Sequence, residues 1–168
     1  YPIRQLEGHT SWVLCVAVLP DDRIVSGGFD NTLRIWDSDS GAQIGQLGQV
    51  DNEDPNVVGH TSTVVCVAIL EDNNTIVSGG NDKSLRIWDI ERGEQIDQLG
   101  QVDNVNPEVG HTGGILCVAV SNNVAVSGSS DETLRIWDIS KYNIYTDMDQ
   151  LACQSDGGRR IRRLKGKK

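Results

Sequence analysis

The feature that most constrains this chain is one segment that occurs three times. Each copy begins with Gly-His and ends its best-matched part with Trp-Asp, and the text before Trp-Asp nearly repeats as RIVSGGFDNTLRIWD, TIVSGGNDKSLRIWD and VAVSGSSDETLRIWD. Chance does not produce such text three times, so the chain contains three copies of one supersecondary unit. A single unit of this size cannot bury its own apolar face, and the copies are therefore expected to stack on one another.

Each copy has the pattern of four short strands. VLCVAVL is a continuous apolar run rich in β-branched residues, RIVSGG is a second run ended by glycines, and TLRIWD follows a short turn. AQIGQL and EQIDQL are a weaker fourth run in the first two copies. With 18 glycines and only 4 prolines, the chain suits strands joined by tight turns. The prediction is an all-β fold in which four antiparallel strands make one propeller blade per copy.

The repeated motifs resemble those of the WD-repeat β-propeller family. The resemblance covers residues 1 to about 140 and rests on Gly-His, a strand Ser, a turn Asp and Trp-Asp in register three times. It implies that the His, Ser, Asp and Trp of each copy form a hydrogen-bonded tetrad, and these residue types can satisfy one another when they are buried. The tetrads would be His9, Ser26, Asp30 and Trp36; His60, Ser78, Asp82 and Trp88; and His111, Ser127, Asp131 and Trp137.

The domain boundaries follow from the repeats. We expect blades at about 8–47, 59–99 and 110–140, preceded by an outer strand at 1–6 and followed at 141–168 by a degenerate strand and a basic, disordered tail. Three blades do not close a propeller, which has roughly four to eight. Either this is a piece of a longer propeller, or two chains close a six-bladed ring as a homodimer. In that dimer each Tyr1–Leu6 strand would complete the third blade of the other chain.

The sequence contains few candidate catalytic, nucleotide-binding or metal-binding residues. The sequence has no P-loop, dinucleotide fingerprint or nucleophile elbow, and its histidines all fall in the Gly-His positions, where a tetrad explains them better than a metal. Arg34, Arg86 and Arg135 are expected to make a repeated salt bridge or to face solvent. We therefore predict a non-catalytic protein-interaction scaffold with no cofactor and no metal. The alternatives are the regulatory part of a larger kinase-type or ubiquitin-ligase-type enzyme, and a nucleic-acid binder that uses its basic tail.

Charge divides the chain into two parts. The formal net charge is −9, but residues 155–168 carry +6, which leaves −15 for the rest. The basic tail predicts nuclear localisation or a nucleic-acid contact, although it has no aromatic residue to stack on bases. No apolar run reaches the length of about 18 residues that spans a membrane. An intracellular location, cytoplasmic or nuclear through the tail, is expected.

Function in a repeat protein is expected where the repeats differ. Trp12 and Phe29 stand where the second copy has Thr63 and Asn81, and the family resemblance implies that these slots lie at the rim of one face. The second and third copies are preceded by acidic inserts, which repeat proteins often place on a binding face. These residues predict a protein partner, favouring a peptide with Lys or Arg beside an apolar residue; the alternative is that the two aromatic side chains pack on a neighbouring insert or on a missing blade. The predicted partner-binding residues are Trp12, Phe29, Thr63, Asn81, Asp51, Glu53, Asp54, Asp103 and Glu108.

Overall fold

A computed structural model describes residues 1, 3–49, 58–100, 109–121 and 123–142. They form three separate antiparallel sheets, and sequential strands are neighbours in each. The first sheet consists of β1 (Val13–Val18), β2 (Ile24–Gly28), β3 (Leu33–Trp36) and β4 (Gln43–Leu47). The second consists of β5 (Val64–Ile69), β6 (Thr75–Gly80), β7 (Leu85–Asp89) and β8 (Glu94–Leu99). The third consists of β9 (Ile115–Ser121), β10 (Val124–Ser129) and β11 (Leu134–Asp138), before a 3-10 helix at Ser140–Tyr142.

The all-β prediction of stacked blades is confirmed. The third sheet has three strands in the part of the chain that the structure describes, and the weak fourth strand expected beyond the 3-10 helix falls outside the described residues. Among the described residues, no helix has the length and apolar character needed to cross a bilayer.

The N-terminal segment differs from its prediction as an outer strand. Residues 1 and 3–12 form no strand, because a strand needs a neighbouring backbone to bond and no described strand of this chain runs beside them. The Arg4 guanidinium instead donates to the carbonyl oxygen of Ser40, in the turn before β4.

Stacking of the sheets buries two apolar layers. Each sheet has two faces. The rear face is the one that carries Leu33 and Ile35 in the first sheet and the equivalent residues in the other sheets. The front face is the opposite one, which carries Val64 and Ile76 in the second sheet. The rear face of the first sheet packs on the front face of the second, and the rear face of the second packs on the front face of the third in the same way. At about 25 cal/mol for each Å² of buried apolar surface, these layers hold the row of sheets together.

A glycine lets each pair of sheets approach closely. A Cβ added to Gly27 would lie 2.8 Å from Cγ1 of Val64, and one added to Gly79 would lie 2.7 Å from Cγ2 of Ile115. Each front face therefore presses a β-branched side chain against a glycine on the rear face before it. Real Cβ atoms do not come this close to a neighbour, so a side chain at either glycine would push the sheets apart.

Candidate functional site

The four residues predicted as a tetrad meet in every sheet. In the second sheet, Nδ1 of His60 lies 2.9 Å from Oδ2 of Asp82, and its Nε2 lies 2.7 Å from Oγ of Ser78. The indole nitrogen of Trp88 lies 2.8 Å from the same Oγ. The corresponding distances in the first and third sheets range from 2.7 to 2.9 Å. The tetrad links the loop before each sheet to its second and third strands.

The direction of these hydrogen bonds follows from the residue types. The indole N–H can only donate, so the serine oxygen accepts from Trp88 and turns its single proton toward Nε2 of His60. Nε2 is then an acceptor, and the ring proton on Nδ1 is donated to Asp82. The arrangement thus favours a neutral histidine, since a proton on Nε2 would take away the acceptor to which the Ser78 hydroxyl donates.

Burial sets the ionisation of the second tetrad. The imidazole of His60 is fully buried, and loss of solvation lowers its pKa, although the carboxylate of Asp82 acts in the opposite sense. Burial alone would raise the pKa of Asp82. Hydrogen bonds from His60 and the N–H of Thr61, together with the charge of Arg86, outweigh burial and hold that pKa at about 2.

Two further donors, one hydroxyl and one backbone N–H, belong to each tetrad and were not predicted. The hydroxyl two residues after the aspartate donates to its other oxygen, Oδ1, at 2.9 Å from Thr32, 2.9 Å from Ser84 and 2.7 Å from Thr133. The backbone N–H after each histidine donates to Oδ2. Their signal was present in the sequence as His-Thr and as Asp-x-Ser/Thr in all three copies.

The repeated arginine extends the tetrad outward in the first two sheets. Arg34 and Arg86 are buried, and Nη2 of each lies 3.6 Å from the tetrad aspartate, which confirms the expected salt bridge for these two. Nη1 of each donates at 2.6 Å to a glutamine on the outer strand, Gln43 or Gln95. The glutamines were missed because a polar residue in the outer strand is expected to face solvent when only the sequence is known. Its arginine partner on the neighbouring strand becomes evident only in the structure.

The chemistry of these groups is structural. Every tetrad atom is engaged with another side chain, which leaves no free base beside a nucleophile. Burial raises the pKa of the Cys15 thiol to about 11 and that of Cys66 to about 12, so both are neutral at pH 7. Among the described residues, no group of three His, Cys, Asp or Glu side chains is placed to hold a metal ion.

An exposed aromatic pair marks the first sheet. Trp12 is 74 % exposed and Phe29 is 48 % exposed, and their rings meet edge to face with centroids 5.6 Å apart. The backbone N–H of Phe29 donates to the carbonyl oxygen of Trp12 at 2.9 Å, which ties the turn after β2 to the residue before β1. The two non-repeated aromatic residues are therefore brought together on the surface.

The matching slots of the second sheet are placed differently. Thr63 is only 5 % exposed, so its side chain is not available to a partner on this surface, contrary to its inclusion among the partner-binding residues. Asn81 is exposed, and its Oδ1 lies 2.8 Å from where a Cβ of Gly114 would be. Thr63 is covered because its sheet has a neighbour in front, whereas Trp12 lies on a sheet without one. The predicted acidic residues Asp51, Glu53, Asp54, Asp103 and Glu108 lie outside the described residues.

Similar proteins share this repeated unit. The small ribosomal subunit protein RACK1 of Caenorhabditis elegans is 36 % identical over 91 residues, which are 52 % of this chain and 28 % of that protein. Mitochondrial division protein 1 of Mycosarcoma maydis is 33 % identical over 78 residues, which are 46 % of this chain and 8 % of that protein. The chain thus spans less than a third of the length of these curated relatives.

Solved structures and a family model agree on the fold. The crystal structure of RRP9 WD40 repeats superposes with a TM-score of 0.68 and 24 % identity, covering 82 % of this chain and 38 % of that one. The model of the family described as "WD domain, G-beta repeat" matches residues 1–37, 54–89 and 105–138, each of which includes one tetrad. With more than half of its residues matched in three successive copies, the chain belongs to the WD40 repeat family.

Proposed function

We propose that this chain is a non-catalytic interaction module that holds a protein partner on the surface formed by Trp12 and Phe29. The observation that carries the proposal is the contact between these two exposed rings, whereas the side chains of the repeated tetrads bind one another. Large aromatic side chains dominate the binding energy of protein interfaces, and Trp is among the residues most enriched at their centres.

The pair is also held in place before a partner arrives. The backbone bond between Phe29 and Trp12 fixes the two segments, and each ring packs against the other. Ordering of rotamers on binding costs roughly 0.5–1.5 kcal/mol for each mobile side chain, so a surface that is already ordered loses less affinity.

Charge favours a basic partner. Apart from residues 155–168, the chain has a formal charge of −15, and both inserts contain acids without Lys or Arg. A peptide with Lys or Arg beside an apolar residue matches this combination of aromatic pair and negative body. The aromatic rings would set the residence time, and the acids would mainly speed association at low ionic strength.

The basic tail supports a second contact. Residues 155–168 contain seven Lys or Arg and one Asp, a composition that binds phosphates or import receptors. We propose an intracellular location, because one relative is named as a protein of the small ribosomal subunit and the family resemblance extends through the repeats. Nuclear entry through the tail and the role of regulatory part of a larger enzyme are further proposals, which need tests of their own.

The experiment is a peptide array of 15-residue sequences that vary Lys, Arg and apolar residues, probed with the whole chain. Trp12→Ala and Phe29→Ala should each weaken the selected peptides by about 30-fold if both are hot-spot residues. Ile44→Ala is the matched control, because it also removes an exposed apolar side chain from the first sheet, on the outer strand β4. If both aromatic substitutions leave the affinity for the selected peptides unchanged, Trp12 and Phe29 do not form the binding surface.

A further inference from the structure

A groove lies beside the outer strand β4, where the first sheet packs on the second. It has a volume of about 320 Å³, and we call it the first groove. Ile35 and Leu47 of the first sheet and Ile90, just after β7, line it, and all three belong to the buried apolar layer between these sheets. Gly45 on β4 and Gly93, in the turn before β8, also line it. The first groove therefore gives access to the apolar layer between two four-stranded sheets.

The corresponding place between the second and third sheets is filled by a tyrosine. Tyr142, in the 3-10 helix after β11, is buried in one apolar cluster with Ile87 and Ile139. These two isoleucines are the equivalents of Ile35 and Ile90. The same apolar layer is thus covered by an aromatic ring at the second contact and is open to a groove at the first.

Two charged side chains hold this tyrosine. The hydroxyl of Tyr142 donates to Oδ2 of Asp97 on β8, and Nζ of Lys141 donates to the same oxygen at 2.7 Å. These hydrogen bonds, from Lys141 and then from Tyr142, hold the pKa of Asp97 at about 2, so their acceptor stays ionised. Nζ of Lys141 also lies 4.8 Å from the centroid of the Tyr142 ring, which is a cation–π distance.

The first groove keeps the space and the cation of this arrangement. Gly93 has the position of Tyr142, and a Cβ there would have no described atom within 4 Å apart from its chain neighbours. Arg92 has the position of Lys141 and lines the groove, and its side chain is 76 % exposed. Arginine stacks on aromatic faces, so this cation suits a ring as lysine does at the second contact.

The segment that joins the first two sheets offers no aromatic side chain, because residues 49–58 contain no Phe, Tyr or Trp. We propose that the first groove binds an aromatic side chain of a protein partner, in the place that Tyr142 takes at the second contact. The ring lies on Ile35 and Ile90, and the guanidinium of Arg92 stacks on it. The protein's own packing at the second contact is the pattern that this partner repeats.

Gly45 determines which aromatic residue is preferred. It has the position of Asp97, so the first groove lacks the carboxylate that accepts the hydroxyl of Tyr142. Phenylalanine is therefore the expected occupant, since it has no hydroxyl to satisfy. A Cβ added to Gly45 would lie 3.1 Å from Cδ1 of Ile35, a flexible side-chain end, and Asp97 shows that a side chain is accepted at this position.

The test is an NMR titration of the whole isotope-labelled chain with N-acetyl-phenylalanine amide. The backbone amide signals of Gly45 and Gly93 should shift and saturate with a Kd of about 1 mM, as expected for a ligand of this size. N-acetyl-leucine amide should bind at least about fivefold more weakly, because it cannot stack under the guanidinium. The amides of Asp97 and Tyr142 are the internal control and should not shift, because their groove is already filled.

Two substitutions at Gly45 separate binding in the groove from binding elsewhere. Gly45→Asp should raise the affinity for N-acetyl-tyrosine amide relative to the phenylalanine probe by about 10-fold, because the hydroxyl regains its acceptor. Gly45→Phe should abolish the shift of the Gly93 amide, because its ring fills the groove from within. Ala42→Phe is the matched control, since it adds the same ring at an exposed position that does not line the groove, and it should leave Kd unchanged.

The proposal is overturned by shifts that do not saturate, by equal affinity for the phenylalanine and leucine probes, or by binding that persists in Gly45→Phe. An unchanged preference between the two aromatic probes in Gly45→Asp would also overturn it. Trp12 and Phe29 do not line the first groove. Trp12→Ala should therefore keep the shift of the Gly93 amide, so that failure of the surface proposed above and failure of this groove are distinguishable.

Discussion

At the scale of single residues, the tetrad shows why a buried ionisable group is tolerated in this fold. Asp82 accepts hydrogen bonds from His60, the N–H of Thr61 and both the hydroxyl and the N–H of Ser84. A buried carboxylate is costly only when its oxygens lack donors, and here both oxygens are supplied. The repeated polar residues therefore hold the strands together instead of forming a reaction centre.

Removal of one tetrad carboxylate should destabilise the fold strongly. Asp82→Ala leaves the ring N–H of His60 and the hydroxyl of Ser84 without their acceptor, at about 1–3 kcal/mol for each buried group left unpaired. Urea denaturation followed by tryptophan fluorescence measures the loss. Asp39→Ala is the control, because Asp39 is exposed, and it should change stability little. An Asp82→Ala protein as stable as Asp39→Ala would contradict the account of the tetrad.

The histidine should make stability fall in mild acid. Burial holds the pKa of His60 below its ordinary value near 6.5, so the unfolded chain binds a proton that the folded chain does not. Stability from this group is complete above about pH 6.5 and is lost as the pH falls toward the lowered pKa. The folded-state pKa of Asp82 is about 2. Its protonation therefore lowers the free energy of unfolding further only below about pH 4, near the ordinary pKa of aspartate.

Urea titrations at pH 7.5, 6.5, 5.5 and 4.5 follow this dependence. We expect the free energy of unfolding to decline already between pH 6.5 and 5.5, before the carboxylates titrate. A constant value across that interval would show that the buried imidazole does not resist protonation.

At the scale of elements, the turn between the second and third strands has one backbone geometry in all three sheets. The residue after the tetrad aspartate has a left-handed backbone, with φ of 64° at Asn31, 67° at Lys83 and 68° at Glu132. Asn tolerates this region, whereas an ordinary side chain costs roughly 1–2 kcal/mol there. The turn is therefore maintained by the bonds of its neighbours and not by the preference of the residue at its tip.

A glycine at this position should stabilise the third sheet. Glu132→Gly removes the clash of Cβ at positive φ and should raise the free energy of unfolding by about 0.5–1 kcal/mol after the entropy of glycine in the unfolded chain is subtracted. Glu132→Ala keeps the Cβ and should give no such gain. Asn31→Gly, at the equivalent turn, should be nearly neutral. Equal effects of Gly and Ala at Glu132 would show that loss of the carboxylate, not backbone geometry, is responsible.

At the scale of the whole molecule, stability depends on contact between sheets. The backbone hydrogen bonds between strands lie within each sheet, but its apolar side chains are covered only where another sheet follows or precedes it. The middle sheet is covered on both faces, and each terminal sheet on one. This difference explains why equivalent residues are buried in one repeat and exposed in another.

The strands and tetrads were predictable from the sequence because their causes are local or repeated. Alternating and continuous apolar runs specify strands, and turn residues separate them. The His, Ser, Asp and Trp of one copy belong to one sheet and to the loop and turn beside it, so their spacing along the chain already implied that they meet. The family resemblance and the register of the three copies pointed to the same residues.

Burial of a given side chain was decided by the tertiary structure, because it depends on what lies beside the sheet. Trp12 and Thr63 have equivalent positions, yet Trp12 is exposed and Thr63 is buried, since a sheet packs in front of the second sheet but none of the described sheets packs in front of the first. Gln43 joins the tetrad network through an arginine on another strand, a contact that no periodicity encodes. The N-terminal segment has the residues of an outer strand but has no backbone to pair with among the described strands, because a strand is completed by its neighbour and not by its own sequence.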